Sequence, residues 1–214
     1  MIEMTEPQAK AGKLAVIATI KDGIAIGAKN TGSILVNTLL WVLTVWIPYL
    51  NVGTTIGLTV GIVTKAAKGE AIPMTEIFDS RYRKYLGEYF LTSGLIWIGV
   101  SVGTVFLVIP GVVIGLAWSL AIVLVVDKGK NPTEALTLSN DCTYGYKKRI
   151  FGVYFLTSLV FSVAVMIIAG IGAVTDSNRI YFFLSLLAFL VMIFSIFVFI
   201  GLQASIYKQL AGDM

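Results

Sequence analysis

The apolar stretch at residues 87–127 is too long to be a single membrane-spanning helix. At 1.5 Å per residue, its 41 residues would form a helix of about 60 Å, which is twice the roughly 30 Å hydrocarbon thickness of a bilayer. The sequence VIPGVVIG supplies a turn, because Pro110 removes a backbone donor and Gly111 tolerates a reversal of the chain. The stretch therefore predicts a hairpin of two membrane-crossing helices.

Further apolar stretches lie at residues 31–64, 150–174 and 180–207, the first with its own turn at Pro48. Only 13% of the residues are charged, against about 25% in a soluble domain, so lipid is the expected solvent. We predict an all-α polytopic membrane protein with six transmembrane helices in three hairpins. The predicted spans are 31–48, 50–66, 87–109, 111–127, 150–174 and 180–206. The second and fourth are close to the minimum of about 17 residues, which leaves re-entrant hairpins open there.

The segment before each predicted hairpin has the periodicity of an amphipathic helix lying in the membrane interface. In the first segment the apolar residues on one side are Leu14, Ile17, Ile20 and Ile24. In the second, Met74, Phe78 and Tyr82 share a face, and Glu76 and Asp79 lie on other faces.

The third segment has the start signals of a helix. Asn131 is the expected N-cap, Pro132 takes the first helical position, and Glu134 follows three residues after the cap. Its apolar face is weak, so a plain loop remains the alternative. We predict that each of the three hairpins is preceded by an interfacial helix.

The sequence YFLTS occurs twice, at residues 89–93 and 154–158, each time after a basic run and a glycine. KGEAIPMTE at 68–76 is likewise echoed by KGKNPTE at 128–134. We interpret residues 1–214 as one membrane domain of three pseudo-repeat units. The predicted units are 12–68, 73–128 and 132–208.

The basic residues are distributed asymmetrically. With six spans, only Arg179 of the sixteen Lys and Arg residues lies opposite the termini and the links between hairpins. The positive-inside rule then predicts a multi-pass protein of the plasma (inner) membrane with both termini in the cytoplasm. The acidic, polar residues 1–13 lack the pattern of a cleaved signal peptide, so the first span is expected to be an uncleaved anchor. The net charge of +4 needs no nucleic-acid partner.

Small residues recur at four-residue spacing in the second and fourth spans. The residues of these two strips are Gly53, Gly57 and Gly61, and Gly111, Gly115 and Ser119. Such strips let helix backbones approach closely. We predict that the two strips pack against each other within one chain. The alternatives are a homo-oligomer interface or the wall of a narrow pathway.

Two basic clusters flank tyrosines beside the predicted spans. The clusters are Arg81, Arg83 and Lys84, and Lys147, Lys148 and Arg149. Membrane lipids are the expected partners, and these cations predict binding of anionic phospholipid headgroups. A role in setting topology alone is the alternative.

The residues needed for most catalytic chemistry are missing from the sequence. It has no histidine and one cysteine, Cys142, and we identify no metal-ligand cluster or cofactor motif. No charged residue lies near the centre of a predicted span, which disfavours ion-coupled transport. We therefore predict a protein that is not an enzyme and has no cofactor. The function favoured by the sequence is a passive channel or facilitator for small or lipid-like solutes. The alternative is a scaffold that organises lipids or a partner protein.

The run FLVIPGVVIGLAWSLAIVLVVDKGKNPTEALTLSNDCTYGYKKRIFGVYFL, with QASIYKQL after it, resembles a known kind of membrane domain. It is similar to the domain associated with glycerophosphoryl diester phosphodiesterases and to related six-helix prokaryotic membrane proteins. The matching features lie at 110–111, Asp127, 133–136, Ser139 and 145–148. The resemblance implies six spans. It implies no phosphodiesterase activity, because that chemistry belongs to a separate soluble domain of such fusions.

Overall fold

The structure is a computed structural model that describes residues 14–175 and 177–212. Residues 1–13, in which the sequence predicts no cleaved signal peptide, lie outside the described residues. The helices are α1 Val16–Lys29, α2 Thr31–Thr44, α3 Pro48–Ile56, α4 Ile62–Lys68, α5 Leu86–Phe106, α6 Val108–Ala117, α7 Ala121–Lys128, α8 Pro132–Thr143, α9 Lys147–Ala173 and α10 Asn178–Ala211. A π-helical turn, Gly57–Gly61, joins α3 to α4 without a break. The all-α class is confirmed for the described chain.

Four helical stretches in the described chain are long and apolar enough to cross a membrane. They are Ser80–Phe106, Val108–Lys128, Lys147–Ala173 and Asn178–Ala211. The helix α2 is apolar but has only 14 residues, so it extends about 21 Å and falls short of the roughly 30 Å core.

The predicted pair of full crossings in the first hairpin is not confirmed, because neither of its helices is among the four stretches that could span a membrane. Tyr49 lies in the turn of this hairpin and Arg83 in the link before α5, which the six-span arrangement puts on opposite membrane faces. The Arg83 guanidinium nevertheless stacks on the Tyr49 ring, 5.7 Å from its centre. This distance is far shorter than the bilayer core, so the two residues lie on the same side or at the same depth.

The first and third predicted interfacial helices are present as α1 and α8. The side chain of Asn131 caps α8 by accepting the Glu134 N–H at 2.9 Å, as predicted. The middle segment is not an α-helix. It forms two 3₁₀ turns, Glu76–Phe78 and Ser80–Tyr85, separated by Asp79 in an extended conformation. The Asp79 carboxylate accepts the Arg81 N–H at 2.9 Å, a local bond that competes with helix formation.

The closest contacts between α1 and the rest of the protein are made by two of its glycines. Gly23 and Gly27 are buried against α10, where an added Cβ on Gly23 would lie 2.9 Å from the Leu202 backbone. The predicted apolar face is divided, because Leu14 is fully buried and Ile20 packs against the core, whereas Ile17 is 68% exposed and Ile24 is also exposed. Lipid is the solvent that these exposed side chains suit.

Each segment that precedes a hairpin packs on the hairpin before it. The 73–85 segment contacts α2 and α3, and α8 contacts α5, α6 and α7. The first helix, α1, contacts α9 and α10 at the far end of the chain. The three hairpins are thereby linked in a closed ring of contacts.

The buried core lies at one end of the helices. Here α4 ends at Lys68, α7 ends at Lys128, and α10 carries Lys208 in its last turn. We call this the basic end. The fully buried residues beside it include Ile62, Leu124, Leu202 and Ile206. Toward the opposite end, the long helices expose apolar side chains such as Phe106, Met166 and Phe183, as helices surrounded by lipid do.

The fourth predicted span, 111–127, is a broken helix. Between α6 and α7, the Ser139 hydroxyl donates to the Ala117 carbonyl at 2.7 Å and accepts the Leu120 N–H at 3.1 Å. The Gln203 amide donates to the Ser119 carbonyl at 3.0 Å. These side chains satisfy backbone groups that the break leaves without helical partners, which an apolar environment requires.

Candidate anion-binding site at the basic end

A pocket of about 300 Å³ opens at the basic end between α4, the 73–85 segment and the end of α7. We call it the first pocket. Its charged lining residues are Lys65, Lys68, Glu70, Arg81, Lys84 and Asp127. Tyr82 and Tyr85 complete its walls. The lining thus has four cations and two carboxylates.

A buried carboxylate holds two of these cations in place. The side chain of Glu76, only 2% exposed, pairs with Lys65 Nζ at 2.6 Å and with Arg81 at 2.9 Å. The Tyr82 hydroxyl also donates to Glu76. A buried charge needs paired and hydrogen-bonded surroundings of this kind. The prediction that put Glu76 on a polar face away from Tyr82 was wrong, because both side chains point into the protein.

The first glycine strip accommodates the 73–85 segment. An added Cβ on Gly57 would lie 2.7 Å from Ile77 Cα, and one on Gly61 would overlap the Tyr82 hydroxyl. At Gly53 an added Cβ would lie 3.2 Å from the Arg83 side chain. The strip therefore lets Tyr82 reach Glu76 and form a wall of the first pocket.

The second strip has different partners, which corrects the predicted pairing of the two strips. An added Cβ on Gly111 would overlap Thr104 of the adjacent helix α5. Gly115 faces Val100 of the same helix more loosely, at 3.7 Å. The Ser119 hydroxyl bonds the Leu116 carbonyl within its own turn. Gly111 and Gly115 therefore close the hairpin of α5 and α6 rather than contact Gly53, Gly57 or Gly61.

Asn37 fixes the start of the 73–85 segment. Its buried amide donates to the Pro73 carbonyl at 2.8 Å, and its oxygen accepts the Ile77 N–H at 3.1 Å. The sequence predicts that Asn37 faces protein or water, and the structure confirms protein. The segment is thus attached to α2 through Asn37 and to α4 through Glu76.

A second polar cluster closes the first pocket at the centre of the basic end. Asp127 of α7 pairs with Lys68 of α4 and accepts the Tyr207 hydroxyl of α10 at 2.6 Å. Lys128 lies 3.8 Å from the same carboxylate. One carboxylate therefore joins the ends of three helices.

The predicted headgroup-binding residues divide between two places. Arg81 and Lys84 line the first pocket, while Arg83 turns away toward Tyr49. In the second predicted cluster, Lys147 donates to Asn140 at 2.8 Å and Arg149 to the Leu14 carbonyl at 3.2 Å. The structure does not bring the two clusters into one site.

Five of these six predicted cations lie over tyrosine rings. The pairs are Arg81 with Tyr82, Arg83 with Tyr49, Lys84 with Tyr85, Lys147 with Tyr144, and Arg149 with Tyr146. Cation–π contact of this kind is attractive and orients the cations along the surface.

The sequence reasoning missed Lys65, Lys68, Glu76 and Asp127 as site residues. One usable signal was present, since Lys65 and Lys68 are three positions apart on one helix face just before Gly69. Gly69 has a φ of +72° and ends α4, so the chain turns sharply beside the first pocket.

Cys142 of α8 shows no sign of a reactive thiol. Burial, and secondarily the charge of Asp141, raises its pKa to about 11. The thiol form therefore dominates at neutral pH. Within residues 14–175 and 177–212, no group of three or more His, Cys, Asp or Glu side chains is arranged to hold a metal ion.

No protein-family model matches this sequence. No curated protein and no solved structure matches the chain either. The resemblance to the phosphodiesterase-associated membrane domain therefore stays a prediction, and the case for a function rests on the geometry of the basic end.

Proposed function

We propose that this chain is a non-catalytic integral membrane protein that binds anionic phospholipid headgroups at its basic end and thereby organises lipid around it. The first pocket carries this proposal. It joins four cations and two tyrosines to helices whose remaining surface is apolar. Basic pockets between membrane helices are a recurrent means of holding phosphate headgroups.

Lys84 is the cation most available to a ligand. Lys65, Lys68 and Arg81 each pair with a carboxylate of the protein. No carboxylate of the described residues lies within 4 Å of Lys84, which stacks on Tyr85 at 4.9 Å. A phosphate in the first pocket would supply the missing partner.

The proposed arrangement in the membrane has four crossing helices, with the first hairpin entering partway from the basic end. The contact between Arg83 and Tyr49 and the short length of α2 support this arrangement. The exposed Trp46, Ile47 and Tyr49 give the hairpin an apolar, aromatic tip suited to lipid. The basic end then faces the cytoplasm by the positive-inside rule.

A passive channel is less well supported by the geometry. Where α4, α7 and α10 converge, the space between them is filled by fully buried apolar side chains such as Leu124 and Leu202. Two cavities larger than the first pocket, of about 470 and 400 Å³, are apolar grooves along α9 and α10. Neither groove continues into the basic end.

Native mass spectrometry of the protein with phosphatidylglycerol tests the proposal, with Lys84→Gln and Lys21→Gln as matched variants. Both lysines are exposed, and no carboxylate of the described chain lies within 4 Å of either. Only Lys84 lines the first pocket. Near an anionic surface one lysine contributes on the order of 1 kcal/mol, so Lys84→Gln should lower retention about fivefold. Equal retention by the two variants would refute the proposed site.

A further inference from the structure

A second pocket of about 220 Å³ lies beside the first, where α1 and α10 meet the end of α4. We call it the second pocket. Its charged lining residues are Lys29, Lys68, Glu70 and Lys208. Lys68 and Glu70 line both pockets, so the two share one wall. That wall is the turn at Gly69, whose left-handed backbone brings α4 to its end between them.

The charges that lack partners are mostly positive and are divided between the two pockets. Lys84 lies in the first pocket, and Lys29 and Lys208 lie in the second. None of these three has a carboxylate of the described residues within 4 Å. Glu70, on the shared wall, is a carboxylate that has no cation of the described residues within 4 Å. Three cations against one carboxylate leave an uncompensated charge of two.

A ligand with one phosphate group could pair with the unpaired lysines of only one pocket at a time. A molecule with two phosphate groups joined by a short linker could place one in each pocket and span the wall at Lys68. Two covalently joined groups bind more tightly than two separate ones, because the second phosphate binds at a high effective concentration.

We infer that the two pockets together bind a phospholipid whose headgroup carries two phosphate groups, one in each pocket. This inference rests on the proposed headgroup-binding function and names its preferred class of lipid. The exposed apolar surface of the neighbouring helices favours a lipid as the source of the two phosphates over a soluble diphosphate.

The test compares retention of diphosphatidylglycerol and phosphatidylglycerol by native mass spectrometry at matched phosphate concentration. The wild-type protein should retain the two-phosphate lipid about fivefold or more better, since a second pocket adds at least one lysine contact. The double variant Lys29→Gln/Lys208→Gln should reduce this preference to near one. Both side chains are exposed, so an unchanged melting temperature should confirm that the variant is folded.

The outcomes separate this inference from the proposal on which it rests. Equal retention of the two lipids, with both still dependent on Lys84, would overturn the inference and keep the proposed function. Retention of either lipid that is independent of Lys84 would overturn both. Stabilisation by sodium pyrophosphate that exceeds stabilisation by the two-phosphate lipid would overturn the lipid assignment in favour of a soluble diphosphate.

Discussion

The guanidinium carbon of Arg83 lies 5.7 Å from the centre of the Tyr49 ring. Arg83 precedes the long helix α5, and Tyr49 lies in the first turn of α3. A contact this short cannot span a hydrocarbon core of roughly 30 Å. It therefore ties the tip of the first hairpin to the residues that lead into the next membrane helix. This contact supports the proposed partly inserted hairpin over a pair of full crossings.

Cysteine accessibility tests this arrangement, with Cys142 replaced by alanine first. We expect Tyr49→Cys to resist a membrane-impermeant maleimide added outside intact cells, because the proposed partial insertion keeps position 49 beside Arg83 and away from the outer face. Ser177→Cys, in the link between α9 and α10, should react under the same conditions and is the matched control. Equal labelling at 49 and 177 from outside would restore the six-span arrangement.

Glu76→Gln should destabilise the protein by roughly 2 kcal/mol. The substitution removes the carboxylate that pairs with Lys65 and Arg81, and breaking a fully buried pair costs about 3–5 kcal/mol. We expect a loss below this range because the Arg81 side chain is 49% exposed and can turn to water when its partner is removed. Thermal unfolding in detergent measures the effect. Glu134→Gln is the control, since its exposed pair with Lys130 should contribute less than about 1 kcal/mol. Similar melting temperatures for the two variants would contradict the role given to Glu76.

The parts of the fold that local signals determine were predictable. Asn131, Pro132 and Glu134 mark the start of α8 through contacts within four residues, and the structure has that start. The 73–85 segment was not predictable from its own periodicity. Its conformation depends on Lys65, Gly61 and Asn37, which are distant in sequence. The candidate site was not predictable for the same reason, because half of its cations come from α4 and half from the 73–85 segment that packs on it.

The orientation of α1 shows a second limit, which concerns the solvent. In water an apolar face packs inward, but the sequence predicts that α1 lies in the membrane interface, where Ile17 and Ile24 can face lipid. In lipid an apolar face gains little from burial, and close backbone contact between small residues decides the packing instead. Gly23 and Gly27 therefore face α10, and the isoleucines stay exposed. The spacing of these two glycines was the better signal.

Gly61→Ala should lower the free energy of unfolding of the protein by about 1–3 kcal/mol, which is the usual cost of overpacking a filled site. The substitution lies beside the first pocket. The added methyl group would overlap the hydroxyl of Tyr82, whose ring is buried and cannot easily move. Gly32→Ala is the matched control in the same hairpin, because nothing lies within 4 Å of its added Cβ. That variant should be neutral or slightly stabilising. Because the added methyl group would also overlap Tyr82 Cζ, the partner substitution is Tyr82→Leu, which removes both Cζ and the hydroxyl. A double-mutant cycle of Gly61→Ala with Tyr82→Leu should show coupling, and its absence would show that the two residues do not interact.

Alkylation of Cys142 should be slow at neutral pH and should rise about tenfold per pH unit until the pH approaches the thiol pKa of about 11. Only the thiolate reacts, and burial disfavours the charged form. Iodoacetamide labelling followed by mass spectrometry gives the rate. Asp141→Asn removes a neighbouring negative charge that raises this pKa, so the variant should react faster at each pH. If the alkylation rate instead reached half of its maximum at about pH 8.5, the ordinary cysteine pKa, this description of the thiol would be wrong.

Ser139→Ala should loosen the break between α6 and α7. The hydroxyl is the hydrogen-bond acceptor for the Leu120 N–H, and Ala117 would keep a bond to Thr143 at 3.3 Å. A buried N–H left without a partner costs about 1–3 kcal/mol. Hydrogen–deuterium exchange in the peptide that contains Leu120 should therefore become faster, and the melting temperature should fall. Thr137→Ala on the same helix is the control, because the Thr137 hydroxyl is exposed and bonds only to the Thr133 carbonyl one turn away. Unchanged exchange at Leu120 in the Ser139 variant would mean that the break is held by Gln203 and by packing, without the serine.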